Sequence, residues 1–282
     1  MLNPWLGIGL VLASLVGLLA ALHVYQRRRA PDPEVGRKLL HVGAGGITFT
    51  FPWVFAAAWP VLLTAAVSVV GLLALKASGS LLRRLGGAIR GVARKSLGEI
   101  YFLPGVAVLF VLSAGDVLLF CMPLLQLTLA DAAAALIGTR YGLHRYVATE
   151  GEKTVEGSLA CLVIAFLSAE VPLLLFGDVG RAKSLLIALS LGLAVTLLEA
   201  VGWQGLDNLF IPVGACVLLK ALLELDVAAL AVHLGATVGL VGLFALVCRQ
   251  RTIRGRATST SHRVLPRPLA PDTREALRHA TL

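Results

Sequence analysis

The sequence predicts an all-α, polytopic integral membrane protein of about nine transmembrane helices joined by short loops. Of its 282 residues, 57% are hydrophobic and only 15% charged, against roughly 25% charged in a soluble domain. The mean hydropathy is +0.85. The apolar residues fall into consecutive runs near the ~20 residues that a bilayer crossing requires, and most charges lie between the runs. This pattern excludes a soluble globular enzyme, a disordered chain and a nucleic-acid-binding domain.

The runs, in order, are 4–25, 40–58, 60–76, 100–114, 117–137, 157–176, 184–202, 209–223 and 227–248. The first has no basic residue ahead of it and is followed by Arg27, Arg28 and Arg29. A cleavable signal peptide has the opposite charge order, so this run reads as a retained helix. Several runs are short or contain Gly and Pro, which membrane helices tolerate where neighbours satisfy the freed backbone groups. Residues 1–248 read as a single transmembrane domain. Residues 249–282, rich in Arg, Thr, Ser and Pro, read as a basic cytoplasmic tail, disordered or lying on the anionic leaflet.

The net charge of +9 is an orientation signal rather than the mark of a polyanionic partner. Residues 249–282 contribute +6 and residues 76–99 contribute +5, leaving −2 for the rest. No aromatic side chains alternate with these cations as stacking on nucleic acid requires. Counting Lys and Arg between successive runs places 22 of the 25 on one side. The positive-inside rule then predicts an odd number of crossings, N-terminus out and C-terminus in; the expected location is the cell membrane. Cys121, Cys161, Cys216 and Cys248 are widely spaced and apolar-flanked, so they read as buried thiols rather than a disulfide framework or zinc site.

Against this background, acids inside apolar runs are functional candidates, because burying a charge in the membrane is costly. Asp131 has no basic residue within eight positions and falls about two turns from the cytoplasmic end of its helix. Glu199 lies about one turn from the same end of its own helix. Glu170 falls toward the other side and reads as structural.

Four polar clusters border the runs on the cytoplasmic side. Arg37-Lys38-Leu39-Leu40-His41 sets two cations and an imidazole at an expected helix start, where a phosphate is favoured; positive flanking with a lone histidine is the plainer alternative. Glu152-Lys153-Thr154-Val155-Glu156-Gly157-Ser158, preceded by Gly138-Thr139-Arg140-Tyr141-Gly142, offers a point charge, hydroxyls and glycines suited to a nucleoside triphosphate. It lacks the residue order of a P-loop. Asp207-Asn208 either caps a helix, with Asn208 as N-cap, or supplies oxygen ligands to Mg²⁺. Glu99, in Ser96-Leu97-Gly98-Glu99, gains from a helix dipole in any membrane protein. A one-sided collection of carboxylates, cations and glycines suits phosphoryl or nucleotidyl transfer.

Taken together, Arg37-Lys38-x-x-His41, Gly98-Glu99-x-Tyr101-Phe102-x-Pro104, Asp131-Ala132-x-Ala134-x-x-x-Gly138-x-x-x-Gly142, Lys153-Thr154-x-Glu156-Gly157-Ser158 and Asp207-Asn208-x-x-x-Pro212 resemble the polyprenol kinase family. That family includes dolichol kinase, phytol kinase and a CTP-dependent diacylglycerol kinase, and the resemblance runs from about residue 36 to 214. It implies transfer of the γ-phosphate of CTP, with Mg²⁺, to the hydroxyl of a membrane lipid alcohol such as phytol, farnesol, a polyprenol or diacylglycerol. The candidate catalytic residues are then Asp131, Lys153 and His41. Arg37, Lys38, Gly138, Gly142, Lys153, Thr154, Glu156, Gly157 and Ser158 are nucleotide-binding candidates, and Asp131, Asp207 and Asn208 are metal-binding candidates. Glu99 and Glu199 are further site candidates. A CTP:phosphatidate cytidylyltransferase would share nucleotide and membrane, but its Lys-Asp, His-Gly-Gly and Asp-Arg signature is not in this sequence. A transporter or inactive scaffold is supported only by the apolar composition, and no internal repeat favours it.

Overall fold

The computed structural model describes residues 2–29, 31–77, 98–149 and 151–263. The basic stretch around Arg94 and Lys95, and the tail beyond Arg263, lie outside the described residues.

All nine apolar runs are helical. The helices are α1 Pro4–Arg29, α2 Pro33–Phe49, α3 Phe51–Val54, α4 Ala58–Ala77, α5 Gly98–Ser113, α6 Val117–Leu125, α7 Asp131–Tyr141, α8 Val155–Phe176, α9 Arg181–Val201, α10 Asp207–Glu224 and α11 Val227–Arg263. A π-helical turn, Gln126–Ala130, joins α6 to α7 without interrupting the rod. Among the described residues, six helical segments are long and apolar enough to cross a membrane: Pro4–Arg29, Ala58–Leu75, Val117–Tyr141, Val155–Phe176, Arg181–Val201 and Val227–Ile253. The protein is therefore an all-α, multi-pass membrane protein. The other three expected crossings are weaker for identifiable reasons. The first is split into α2 and α3 at Thr50, with Pro52 following; α5 is apolar but shorter; α10 carries Asp207, Lys220 and Glu224.

Local chemistry moves several boundaries from where the hydropathy pattern puts them. α2 begins at Pro33 because the Asp32 carboxylate accepts the Glu34 N–H at 2.7 Å and proline occupies the first helical position. Arg37 and Lys38 consequently sit on its second turn, past the free amides that the expected helix start would have offered. The last helix does not stop at 248 but continues to Arg263. A short antiparallel hairpin, β1 Arg145–Val147 and β2 Glu152–Thr154, interrupts the otherwise helical chain, with Gly151 at φ +79° in its turn. Its register pairs Arg145 with Thr154, Tyr146 with Lys153 and Val147 with Glu152.

The α6–α7 rod is the centre of the bundle: two-thirds of its most apolar 18-residue stretch is buried, whereas Leu230 and Cys248 are the buried residues of Val227–Ile253. Phe120, Met122 and Leu127 of the rod pack with Val106, Leu109, Ile187 and Ile211 in the fully buried core. α5 and α10 approach so closely that a Cβ on Gly105 would strike the Asn208 carbonyl. All four cysteines are free and buried, as the sequence suggests. Glu170 accepts the Ser184 hydroxyl at 2.8 Å.

Candidate active site

Lys38 and Asp131 meet in the interior. The Lys38 Nζ donates to Asp131 Oδ2 at 2.7 Å, and both side chains are buried. His41, one turn along α2, lies 3.5 Å from the same oxygen. Its Nε2–H donates to the Leu127 carbonyl at 3.1 Å, and its ring stands edge-on to Phe102. A carbonyl can only accept, so this bond fixes the proton on Nε2. The π turn makes the arrangement possible: widening the helix by one residue re-aims the side chains beyond it and alters the carbonyl pairing. The Gly45 backbone abuts the Thr128 side chain in that turn, which lets α2 lie close enough for Lys38 to reach Asp131.

A second ion pair forms where β2 enters α8. Lys153 Nζ donates to Glu199 Oε1 at 2.5 Å and also to the Glu199 carbonyl at the end of α9. The Thr154 hydroxyl accepts the Gly157 N–H at 3.2 Å and so caps α8. A Cβ on Gly157 would lie 2.7 Å from the Ala134 carbonyl, and one on Gly138 would lie 2.8 Å from Thr154 Oγ1. These glycines therefore bring the α7 and α8 backbones together beside the site. Gly142 is crowded in the same way, its own Cβ position meeting Thr154. Ser158 Oγ and Tyr146 OH are 2.8 Å apart. Burial raises the Tyr146 phenol above its usual range despite that hydrogen bond, so it is protonated at neutral pH. Glu156 turns away, to the ring Nδ1 of exposed His144 at 2.6 Å.

At the mouth, Arg37 donates to both oxygens of Glu34, at 2.5 and 3.1 Å. Burial raises the Glu34 carboxyl, but the Arg37 hydrogen bond and charge outweigh it and hold the group below its usual range. Glu99 contributes to the charge surrounding Arg37. At the start of α10 the residue in the N-cap position is Leu206, which makes no side-chain cap bond. Asn208 is therefore not the N-cap. Asp207 Oδ1 and Asn208 Oδ1 are instead buried with no hydrogen-bond partner among the described residues.

These groups line one cavity of about 330 Å³, which collects Arg37, Lys38, Asp131, Gly138, Lys153, Thr154, Gly157, Ser158, Glu199 and Asp207. Five segments far apart in sequence, on α2, α7, β2–α8, α9 and α10, thus supply one chamber at one end of the bundle. His41, Glu99, Gly142, Glu156 and Asn208 lie outside its lining. Arg145 and Glu152, from the hairpin, also line it. Sequence reasoning counts Arg145 only as an orientation charge. The available signal is the short Arg-Tyr-Val and Glu-Lys-Thr pair around Gly151. Among the described residues the lining balances its formal charges: Arg37, Lys38, Arg145 and Lys153 against Asp131, Glu152, Glu199 and Asp207.

Among the described residues no three His, Cys, Asp or Glu side chains converge as a metal cage. Mg²⁺ does not need one, since it binds through one or two protein oxygens when substrate phosphates and water complete its shell. The unpartnered oxygen of Asp207, which lines the chamber, fits a metal shared with a nucleotide; Asn208 Oδ1 is likewise buried and unpartnered but lies outside that lining, and Asp131 already has Lys38 on Oδ2.

Fold and site together define a multi-pass membrane protein with a polar, charge-lined chamber at one end of its helices. The chain is similar to the phytol kinase of Synechocystis sp., being 28% identical over 217 residues that cover 76% of this chain and 90% of that protein. No family model matches the chain, and no solved structure matches it.

Proposed function

We propose that the protein is a lipid-alcohol kinase of the polyprenol kinase type, transferring the γ-phosphate of CTP to a phytol-, farnesol-, polyprenol- or diacylglycerol-like alcohol. The observation that carries this reading is the single chamber joining Lys38–Asp131 to Lys153–Glu199. The similarity to a phytol kinase supports a phosphotransferase with a lipid-alcohol acceptor. In the proposed arrangement residues 1–248 form one membrane domain with nine crossings, N-terminus out, in the cell membrane, and the chamber faces the cytoplasm.

Phosphoryl transfer asks the protein mainly for positioning and charge neutralisation. Arg37, Lys38 and Lys153 present cations to the nucleotide phosphates, and Ser158, held by Tyr146, presents a hydroxyl. Asp131 accepts the proton of the lipid hydroxyl as its oxygen bonds the γ-phosphorus. The bond from that phosphorus to the bridging oxygen breaks, and the electron pair leaves with the nucleoside diphosphate. His41, whose ring nitrogen lies 3.5 Å from Asp131 Oδ2, packs against that carboxylate. Asp207 and Asn208 would hold Mg²⁺, which neutralises phosphate charge when bound. Gly138, Gly142, Gly157 and Thr154 act through the α7–α8 junction, which sets where Lys153 and Ser158 stand.

The test is to incubate the detergent-purified protein with Mg²⁺, prenyl alcohols, diacylglycerol, phosphatidic acid and CTP labelled at the γ-phosphate or in the cytosine. Label passing from γ-CTP to an alcohol is the expected result. Cytosine label in lipid would replace this reading with a cytidylyltransferase.

A further inference from the structure

We propose that Arg145, on the strand bordering the chamber, is the arginine that binds the transferring phosphoryl group, and that Glu152 holds it until the nucleotide arrives. The inference rests on the kinase reading and assigns that reaction a further residue.

The four cations among the described lining residues differ in how firmly they are held. Arg37 is engaged by both oxygens of Glu34. Lys38 is buried against Asp131, and Lys153 is held by both the carboxylate and the carbonyl of Glu199. Withdrawing any of them leaves a partly or fully buried acid without its partner, which is costly. Arg145 makes one contact with Glu152, at 3.3 Å, and the two side chains are 65% and 58% exposed. An exposed pair of this kind holds weakly, so its guanidinium is the one that can move to a ligand at little cost.

Beneath that loosely held side chain, the backbone is fixed on both sides. The His144 carbonyl accepts the Val155 N–H at 2.9 Å, and Glu156 holds the His144 ring. Arg145 itself pairs across the hairpin with Thr154, the α8 cap. On the far side, the Val147 N–H donates to Thr252 Oγ1 of α11 at 3.0 Å, while that hydroxyl donates to the Cys248 carbonyl. A rigid base with a releasable guanidinium can reach a ligand with little backbone reorganisation.

The balanced charge of the described lining gives such a group a role. A triphosphate is polyanionic, and a lining whose cations are matched by acids offers little net counter-charge. As the lipid oxygen–phosphorus bond forms and the phosphorus–bridging-oxygen bond breaks, charge spreads over the equatorial oxygens of the phosphoryl group. The planar fork of arginine matches those oxygens better than the point charge of lysine. The hydroxyl proton goes to Asp131 and the electron pair leaves with the nucleoside diphosphate.

The experiment uses the full chain in detergent with Mg²⁺, γ-labelled CTP or ATP and a phytol-type alcohol. If the wild type labels no alcohol from either donor, the kinase reading fails, whatever Arg145 does. Given wild-type transfer, Arg145→Ala is expected to lower kcat about 100-fold or more, with Tm within about 2 °C of wild type. Low-millimolar methylguanidinium should restore part of the loss, and Arg145→Lys should recover no more than about a tenth of the wild-type rate. Glu152→Gln should lower the nucleotide KM by about two- to fivefold. An Arg145→Ala enzyme within about threefold of wild-type kcat, or a loss that methylguanidinium leaves untouched, overturns the phosphoryl-binding role. A higher nucleotide KM in Glu152→Gln overturns the holding role.

Discussion

The Lys38 ammonium and the Asp131 carboxylate, 93 positions apart in sequence, meet at 2.7 Å with both side chains buried. Such a pair contributes little net stability over an apolar substitute, yet removing one partner strands the other charge. Asp131→Asn and Lys38→Met should each destabilise the protein by about 3 kcal/mol or more and abolish transfer. The double variant should regain most of the stability, seen as recovered Tm in detergent, with no return of activity. Activity in the double variant would show that the pair serves the fold alone.

The α7–α8 junction gives a sharper steric prediction. A Cβ on Gly157 would lie 2.7 Å from the Ala134 carbonyl, a rigid backbone atom, while one on Gly46 would meet nothing within 4 Å. Gly157→Ala should therefore cost about 1–3 kcal/mol and lower the rate by displacing Ser158. Gly46→Ala should be neutral or stabilise the helix by up to about 1 kcal/mol, the helix-propensity gain of alanine over glycine. Thermal unfolding of the two variants side by side checks both.

At the mouth of the chamber, the Glu34–Arg37 pair predicts a pH dependence of defined sign. Burial pushes the Glu34 carboxyl up, but Arg37 more than offsets it, so the folded group titrates below its ordinary value of 4.5. Protons consequently bind the unfolded chain more readily. The contribution to stability is complete above about pH 4.5 and is lost as pH falls through the folded-state value. Wild type and Glu34→Gln should differ in Tm at pH 6 and converge as the pH falls below the ordinary carboxylate range. Parallel curves across that range would remove the pair from the acid sensitivity.

Which features are legible in the sequence depends on which signals are local. The nine apolar runs appear as helices because hydrophobicity alone defines a membrane segment. Asp131, Lys153 and Glu199 stand out because an acid or base is costly in or beside an apolar run. Lys38 as the partner of Asp131, and Glu199 as that of Lys153, cannot be read, since each pairing depends on helix packing and, for Asp131, on a π turn with no sequence signature. The glycines of the Gly138 and Gly157 segments suggest close backbone approach to a phosphate. The close approach exists, but the structure shows it between α7 and α8. The pairing of Arg145 with Glu152 escapes notice because a three-residue strand pair is too short to produce a visible alternation among the charges of a polar loop.

At the start of α10, Asp207 and Asn208 carry the prediction about metal. Their Oδ1 atoms are buried without hydrogen-bond partners among the described residues, an arrangement that costs stability unless a ligand satisfies it. If they take Mg²⁺ together with the nucleotide phosphates, chelation by EDTA should abolish transfer and added Mg²⁺ should restore it. Asp207→Asn should raise the Mg²⁺ concentration at half-maximal rate by about tenfold or more, because an amide oxygen lacks the carboxylate charge that a hard cation prefers. The same substitution should leave Tm unchanged or raise it in metal-free buffer, since a buried carboxylate with an unsatisfied oxygen becomes neutral. A Mg²⁺ dependence identical to wild type would assign the metal to other oxygens and leave the pair at the head of α10 as a structural feature of the turn that precedes it.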